Sequence, residues 1–534
     1  MQQQGVTRRT IAAGLGSVLA IGLVAFSGTG VAGATPIRHN GQVPHAGGSI
    51  TALESSGTTG NWSAGLDPAT NTDGEDVTEM DAIYGNLFSL GARGEIVPDL
   101  ATSYSFSNGY KTANINLRRG VKFSDGSPFN AYAVRWNFER DLAASCTCKP
   151  TWPVASVTTP DGPNGYVVQV NLKSVYAPFI SALIGSNANW IASPTALHKM
   201  GEAAFKVKPV GAGPFEVVSD VLSSQLVLKK NPLYWQKGRP YLDRLTFKSF
   251  GGGDQGTYEA LLAGSAQVAE GIDTPSLLPE FKSHFTTTVE EPTSVYNIQM
   301  NTAIPPFNNI LAREAIYYAT NFAVINKAIF SGALTLSQSF TAPGGLFYEP
   351  KVPGYPTYDP AKARAIVKKL GGLSFNLFTV NDSMAITSDE ALQKEWEAVG
   401  MKVSLSSYDL PSLIATFQKK SWEIALQTVG NYDPASGLGL AFRFSSTSPF
   451  SGVHDPFLDV LMNKSVSTPI MAKRAAYYRQ IAEYIAKKFY GPFLGAFGSY
   501  DAADHGICGP GLSSPIPVTV IAVIPWQDIS AHCS

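Results

Sequence analysis

Charged residues are scarce in this 534-residue chain, at 15% of the total, and neither sign is in excess. Forty lysines and arginines against 41 acidic residues give a formal charge of −1. Nucleic-acid-binding domains usually carry a basic surplus, so this balance argues against that class of partner. The chain has no block of five or more like charges, which argues against an electrostatic tail.

Sequence motifs of several enzyme classes are also missing. The seven histidines form no H-x-x-x-H pair, and neither G-x-S-x-G nor G-x-x-x-x-G-K-[ST] occurs. Residues 251–256 contain a literal G-x-G-x-x-G, but no βαβ unit with an acidic partner follows it. We therefore expect no enzyme activity, no catalytic residue, no metal site and no cofactor. A secreted hydrolase whose triad comes from distant residues would leave no such motif, and it stays an alternative.

The one long uncharged apolar run lies at the N-terminus. Arg8 and Arg9 precede residues 11–26, which carry no charge, and small residues follow at 32–34. Residues 1–34 are therefore predicted to be a signal peptide for Sec or twin-arginine export, cleaved after Ala34. An uncleaved anchor is the alternative, although the run is shorter than the roughly 20 residues that span a bilayer. Residues 35–47 are predicted to be a disordered linker.

Cysteine is rare, and no cysteine lies near the signal. We therefore expect a free secreted or periplasmic protein rather than a lipoprotein. The four cysteines are Cys146, Cys148, Cys508 and Cys533. An even count in an exported chain predicts disulfides, and local pairing of 508 with 533 and of 146 with 148 is preferred among three connectivities. A zinc site is the alternative, with histidines flanking the second pair only.

Predicted strands and helices alternate along the rest of the chain. Residues 49–53 and 422–429 are typical of strands, 360–370 of an amphipathic helix, and 311–329 of one long helix. Such alternation predicts an α/β fold with open sheets, and the length indicates two or three domains.

Residues 117–129 read L-R-R-G-V-K-F-S-D-G-S-P-F, and together with several further segments, taken in order, they resemble the peptide/nickel-type family of extracellular solute-binding proteins. Residues 117–129 are close to that family's pattern L-R-x-G-V-K-F-x-D-G-x-P, and the "A-x-D-V" that follows has Ala133 in place of the aspartate. Further matching segments are residues 96–101, 210–215, 230–235, 301–319 and 358–363.

The resemblance implies a periplasmic-binding-protein-like fold of two α/β lobes joined by two crossover strands, near 296–301 and 492–497. The expected domains are lobe I at 48–298, with an inserted subdomain at about 90–205, lobe II at 299–497, and a return to lobe I at 498–534. The implied function is capture of a small solute, such as an oligopeptide, for an ABC permease and its ATPase subunits. We expect a monomer with no nucleic-acid partner.

Ligands of open α/β sheets bind at strand-end loops, here in the cleft between the lobes. The candidate ligand-binding residues combine aromatic faces with amide and carboxyl groups. They are Asn61, Trp62 and Ser63 after the first strand, Asn189 and Trp190 in a third segment, and Gly430, Asn431, Tyr432 and Asp433 after the strand at 422–429.

One departure from the family pattern bears on the ligand. Many peptide binders of the family carry an aspartate three or four residues before a D-P or E-P step, where it pairs with the peptide's α-amino group. The equivalent positions here are Gly430 and Asn431, ahead of Asp433 and Pro434. An uncharged solute such as an oligosaccharide is therefore the alternative ligand. A surface chaperone or adhesion protein that keeps the fold is a further alternative.

Overall fold

The protein forms two α/β lobes with a smaller sheet attached to the first. The computed structural model describes residues 43–54, 62, 64–71, 76–91, 94–144, 152–290, 292, 294–430, 432–436, 439–496, 498–513, 516–517 and 522–534. The strands are β1 (Pro44–His45), β2 (Ser49–Glu54), β3 (Phe88–Leu90), β4 (Ile96–Pro98), β5 (Ala101–Ser107), β6 (Thr112–Leu117), β7 (Val154–Thr158), β8 (Val167–Leu172), β9 (Phe215–Val221), β10 (Gln225–Lys230), β11 (Arg244–Ser249), β12 (Val268–Ile272), β13 (Thr286–Val289), β14 (Val295–Met300), β15 (Thr335–Leu336), β16 (Ser374–Val380), β17 (Lys402–Tyr408), β18 (Ile424–Val429), β19 (Phe493–Ala496), β20 (Tyr500–Ala503), β21 (Ile516–Pro517), β22 (Ala522–Val523) and β23 (His532–Cys533). The helices are α1 (Val77–Tyr84), α2 (Ala131–Ala143), α3 (Phe179–Ile184), α4 (Pro194–Met200), α5 (Glu202–Val207), α6 (Gly253–Leu262), α7 (Leu278–His284), α8 (Ile310–Ala319), α9 (Phe322–Ile329), α10 (Pro360–Lys369), α11 (Ser383–Glu397), α12 (Leu410–Gln418), α13 (Leu440–Phe444), α14 (Pro456–Val466) and α15 (Met471–Lys488).

A seven-stranded sheet in the order β13-β20-β12-β2-β11-β10-β9 forms the first lobe. Its central strands β11, β2 and β12 are parallel, and their pairing sets Glu54 level with Ser249 and Glu270. Side chains alternate across a strand, so Ile50 and Ala52 of β2 pack in the core beside α1, while Leu53 packs in the core beside α6 and α7. The carboxyl ends of β2, β11 and β12 therefore share one edge of the sheet.

The second lobe contains a six-stranded sheet in the order β15-β19-β14-β18-β16-β17. Strands β17, β16 and β18 are parallel, and β14 runs antiparallel beside β18. The core between this sheet and helices α8, α10 and α11 includes the fully buried Leu377 and Trp396. Burial of one large apolar side chain contributes about 1.5–3 kcal/mol.

An antiparallel sheet in the order β5-β6-β8-β7 forms the subdomain of the first lobe. Helices α2 and α3 cover it, and the rings of Phe138 and Phe179 both contact Trp152, with centroids 5.2 Å apart in each case.

The chain passes between the two large sheets twice. It leaves the first sheet after β13 and enters the second at β14, and it returns between β19 and β20. Glu290 N–H donates to the carbonyl oxygen of Ser499 at 2.9 Å, so the two crossing segments are bonded to each other. The predicted lobe boundary at 298/299 falls inside β14.

The C-terminal segment folds back onto the first lobe. Cys508 and Cys533 form a disulfide, and β23 pairs with β1 near the start of the described chain. Cys146 and Cys148 lie outside the described residues, as do the predicted signal peptide and most of the predicted linker. None of the helices in the described part of the chain has the length and apolar character needed to cross a bilayer.

The prediction of one helix over 311–329 is wrong, because the structure has α8 and α9 there. The break lies at Thr320 and Asn321, where the Thr320 hydroxyl donates to the Ile316 carbonyl oxygen at 2.7 Å. Asn321 N–H donates to the Glu395 carboxylate at 2.7 Å instead of to the preceding helical turn. A side-chain acceptor from another helix thus ends α8, which apolar periodicity does not reveal.

Candidate functional site

The loop that follows β18 lies where the lobes meet. Gly430 begins it with a φ of 120°, a conformation that favours glycine. Tyr432 packs against the subdomain core of the first lobe. Its ring covers the backbone of Gly94, leaving no room for a β-carbon there. The predicted residue Asn431 lies outside the described part of the chain.

Asp433 is buried in the second lobe and bound to a cation of its own chain. Its two carboxylate oxygens lie 2.9 and 3.0 Å from Nη2 of Arg474 in α15. Ala435 N–H donates to the same carboxylate at 3.0 Å. Burial lowers the pKa of Arg474, but Asp433 and Tyr478 beside it raise it more, so the net pKa is raised. These bonds use Asp433 to hold the loop onto α15.

Two hydrogen bonds join the subdomain directly to the second lobe. The Tyr176 hydroxyl donates to the carbonyl oxygen of Ala435 at 2.6 Å, and Ala177 N–H donates to the carbonyl oxygen of Val466 at 2.7 Å. A cavity of about 380 Å³ lies beside them, within the range of about 300–1,000 Å³ typical of small-molecule sites. Its walls include Tyr176, Pro434, Leu440, Asp459, Met462 and Tyr478.

Trp62 lies inside the first lobe. Its side chain is fully buried, its backbone N–H donates to Asp76 at 3.1 Å, and its indole Nε1–H donates to Asp220 at 2.8 Å. Its predicted neighbours Asn61 and Ser63 lie outside the described residues.

Asn189 and Trp190 fasten the subdomain to the first lobe. The Asn189 side chain donates to Asn86 at 2.9 Å and to the carbonyl oxygen of Phe88 at 2.8 Å. Trp190 Nε1–H donates to Asp81 at 2.6 Å. Both side chains are buried, and no described hydrogen bond connects them to Tyr432 or Asp433.

A group of buried carboxyl groups occupies the carboxyl edge of the first sheet. Glu54 ends β2, Glu270 lies level with it in β12, and Glu79 lies in the first turn of α1. Two more come from the crossing segments, since Glu290 follows β13 and Asp501 lies in β20. We call these five residues the carboxyl cluster: Glu54, Glu79, Glu270, Glu290 and Asp501, all at most 8% exposed.

Mutual proximity and burial both act on the protonation of the carboxyl cluster. Burial raises the pKa of Glu54 well above its ordinary value, and the neighbouring Glu79 and Glu270 raise it further. Burial also raises the pKa of Glu270. A hydrogen bond from the Thr78 hydroxyl lowers this pKa, but by less than burial raises it. The pKa of Asp501 is raised by burial and then by Glu290.

The prediction of site residues from the sequence did not include the carboxyl cluster. A usable signal exists, because the stretches that supply the cluster contain no lysine or arginine. They are residues 39–92, 249–281, 283–312 and 489–534. Acidic residues inside apolar strands of cation-free stretches are the pattern to look for.

The chain is similar in sequence to known proteins. Residues 95–450 match the family described as bacterial extracellular solute-binding proteins, family 5 Middle. The glutathione-binding protein GsiB of Shigella flexneri serotype 5b (strain 8401) is 31% identical over 363 residues, which cover 66% of this chain and 70% of that protein.

Two solved structures show a similar fold over nearly the whole chain. A dipeptide-binding protein of Pseudoalteromonas sp. SM9913 in complex with Met-Leu has a TM-score of 0.78 at 18% identity, covering 91% of this chain and 99% of that one. The periplasmic binding protein DppA of Helicobacter pylori in complex with the peptide STSA also has a TM-score of 0.78, at 21% identity, covering 91% and 98%.

Proposed function

Because the chain belongs to the bacterial extracellular solute-binding proteins of family 5, we propose that it captures a small peptide or peptide-like solute between its lobes for an ABC importer. The observation that carries this proposal is the pair of bonded crossing segments between two open α/β sheets. Such a connection lets two rigid lobes move about a few residues at element ends.

Closure of the lobes gives binding its physical basis. The bonds of Tyr176 to Ala435 and of Ala177 to Val466 exist only when the lobes are together. At about 1 kcal/mol net for each hydrogen bond, they bias the protein modestly towards closure. A solute that contacts both lobes adds its binding free energy to the closed form alone, and it shifts the population accordingly.

The named relatives support a peptide-like solute, since they are described as binding glutathione, a dipeptide and the peptide STSA. This chain departs from a simple peptide binder near Asp433, because Gly430 has no side chain and Asp433 is paired with Arg474. An α-amino group therefore finds no free carboxylate at these two positions.

The partners and location follow from the same proposal. The protein works outside the cytoplasm as a monomer, and its closed form is recognised by a membrane permease with ATPase subunits. The solute leaves unchanged, so no catalytic residue is assigned. The candidate ligand-binding loop of the proposal is the one after β18, which contains Gly430 and Tyr432.

Native mass spectrometry of protein purified from its own host tests the proposal. We expect a small molecule that co-purifies, and small-angle X-ray scattering should show compaction when it is added back to stripped protein. The recovered solute should be chemically intact. Absence of compaction at saturation, or recovery of a cleaved solute, would contradict the proposal.

A matched pair of variants tests the role of closure. Tyr176→Phe removes the bond to Ala435 and should weaken solute affinity about fivefold, since one hydrogen bond is worth about 1 kcal/mol. Tyr132→Phe makes the same change on a tyrosine that is 43% exposed and should leave affinity unchanged.

A further inference from the structure

The carboxyl cluster contains acidic groups with no partner among the described residues. The carboxyls of Glu54 and Glu79 lie within hydrogen-bonding reach of each other. None of their four oxygens accepts a hydrogen bond from a donor of another described residue, and Oδ2 of Asp501 has none either. Glu54 is 2% exposed and Glu79 is fully buried, so both carboxyl groups are shielded from bulk solvent.

Four members of the cluster have no counter-charge among the described residues. None of the described ion pairs includes Glu54, Glu79, Glu270 or Asp501. The groups that shift the pKa values of Glu54, Glu79, Glu270 and Asp501 include other acids and neutral donors but no lysine or arginine. Every stretch that supplies the cluster also lacks both residue types in sequence. Isolated buried carboxylates are strongly unfavourable unless they are paired or protonated.

Part of the cluster lies at the edge of the first sheet that binds ligands in open α/β folds. Glu54 and Glu270 end parallel strands at the carboxyl edge of the sheet, which is the edge where open α/β sheets bind ligands. Glu290 and Asp501 flank the two crossing segments, and the Ser499 hydroxyl between them donates to Glu290 at 2.6 Å. The cluster thus marks the hinge end of the first lobe's cleft face.

A metal ion fits this arrangement less well than an organic cation. No group of three or more histidine, cysteine, aspartate or glutamate side chains among the described residues has the geometry to hold a metal ion. The Thr78 hydroxyl donates to Glu270 at 3.1 Å, and the indole N–H of Trp526 donates to Thr78 at 3.1 Å. Glu270 thus already accepts a hydrogen bond from a neutral donor, and the acceptor oxygens that remain in the cluster suit an organic group with several N–H donors.

We infer that the carboxyl cluster, through Glu54 and Glu79, receives the ammonium or guanidinium group of the captured solute. This inference rests on the proposed function and narrows its substrate class to organic cations. Burial raises the pKa of Glu270 to about 8 and that of Glu54 well above its ordinary value, so protons are held more tightly here than on exposed carboxyl groups. An incoming cation takes their place, and the displaced protons pass to the buffer.

Matched charged and neutral probes test the inference by isothermal titration calorimetry. The probes are glycyl-arginine against glycyl-citrulline for a side-chain guanidinium, each free and N-acetylated for an α-ammonium, and spermidine for a polyamine. We expect at least one cationic probe to bind at pH 7 and to lose affinity at least tenfold when its charge is removed. Its apparent enthalpy should differ between phosphate and Tris buffers because protons are released.

Charge-neutral variants assign the effect to the cluster. Glu54→Gln and Glu79→Gln should each weaken the same probe at least tenfold, with a melting temperature no lower than that of the wild type. Glu397→Gln, an exposed acid of the second lobe, is the matched control and should change affinity less than twofold.

Three results would overturn the inference: equal affinity for charged and neutral probes, no binding of any of these cations, or saturable binding of Ca²⁺ alone that the two cluster variants abolish. If a neutral co-purified solute still compacts the protein, the proposed function stands while the inference fails. If no solute compacts the protein, the proposed function fails as well.

Discussion

Asp433→Asn is expected to destabilise the second lobe by about 3 kcal/mol, because it leaves a buried guanidinium without its counter-charge. Asp433 is 1% exposed and Arg474 is 4% exposed, so solvent does not screen the pair. Breaking a buried ion pair from one side costs about 3–5 kcal/mol. The lower figure applies here, since the Tyr478 hydroxyl at 3.2 Å and the Phe347 ring at 5.0 Å still contact the Arg474 guanidinium.

Urea denaturation at pH 7 measures this loss. The double variant Asp433→Asn with Arg474→Met should recover most of the stability, because replacing both members of a buried pair is often neutral or favourable. Glu314→Gln is the control within the same lobe. Glu314 pairs with Lys362 at 3.2 Å, and Lys362 is 45% exposed, so this change should cost less than about 1 kcal/mol.

A different outcome would reveal a binding role for Asp433. If Asp433→Asn leaves the free energy of unfolding unchanged but abolishes solute affinity, its carboxylate binds the solute and the structural reasoning fails. A structural role for Asp433 predicts the opposite result. The free energy of unfolding falls, and solute affinity falls only because less protein is folded.

The remaining predictions concern closure, pH and the disulfide. Gly94→Val places a side chain where the Tyr432 ring lies, so solute affinity and the compaction seen by scattering should both fall, and adding Tyr432→Gly should restore part of each. Burial raises the pKa of Asp389 from 3.8 to about 7, so the folded state holds an extra proton between these values and wild-type stability should fall as pH rises from about 4 to 7. The loss is about 4 kcal/mol at 1.36 kcal/mol per pH unit, and Asp389→Asn should flatten it in denaturation curves across this range. Cys508→Ser with Cys533→Ser opens a loop closed across 25 residues and should lower the free energy of unfolding by about 3 kcal/mol; an unchanged midpoint would contradict this.

Local signals in the sequence were enough to predict much of the fold. The strand predicted at 49–53 is β2, extended by Glu54, and the helix predicted at 360–370 is α10, where the Asp359 side chain accepts a hydrogen bond from Lys362 N–H at 2.9 Å. These elements depend on neighbours in sequence, namely alternation and capping. The break between α8 and α9 depends on Glu395, 74 residues away, and no local pattern contains that information.

The candidate ligand-binding residues also show that local sequence patterns do not reveal contacts with distant residues. Trp62 and Trp190 are predicted ligand-binding residues for their apolar faces with a polar edge, and Asn189 for its amide group. The structure places all three inside the first lobe. Buried polar atoms must find hydrogen-bond partners, and here each indole N–H finds a carboxylate, Asp220 for Trp62 and Asp81 for Trp190. The side-chain chemistry that suits a ligand equally suits an internal bond, so residue type alone does not separate the two.

The presence or absence of a counter-charge distinguishes an acid that supports the fold from a candidate ligand-binding acid, which residue type does not. Asp433 lies in the loop after β18 and Glu54 is the last residue of β2, and both acids are buried. Asp433 has Arg474 within 3.0 Å, so its charge is balanced in the solute-free protein and needs nothing from outside. Glu54 and Glu79 have no cationic partner among the described residues, and burial raises the pKa of both carboxyl groups. An acid whose counter-charge lies within the fold supports the fold, whereas buried acids without a described counter-charge, such as Glu54 and Glu79, are the groups that we infer to receive a cationic solute.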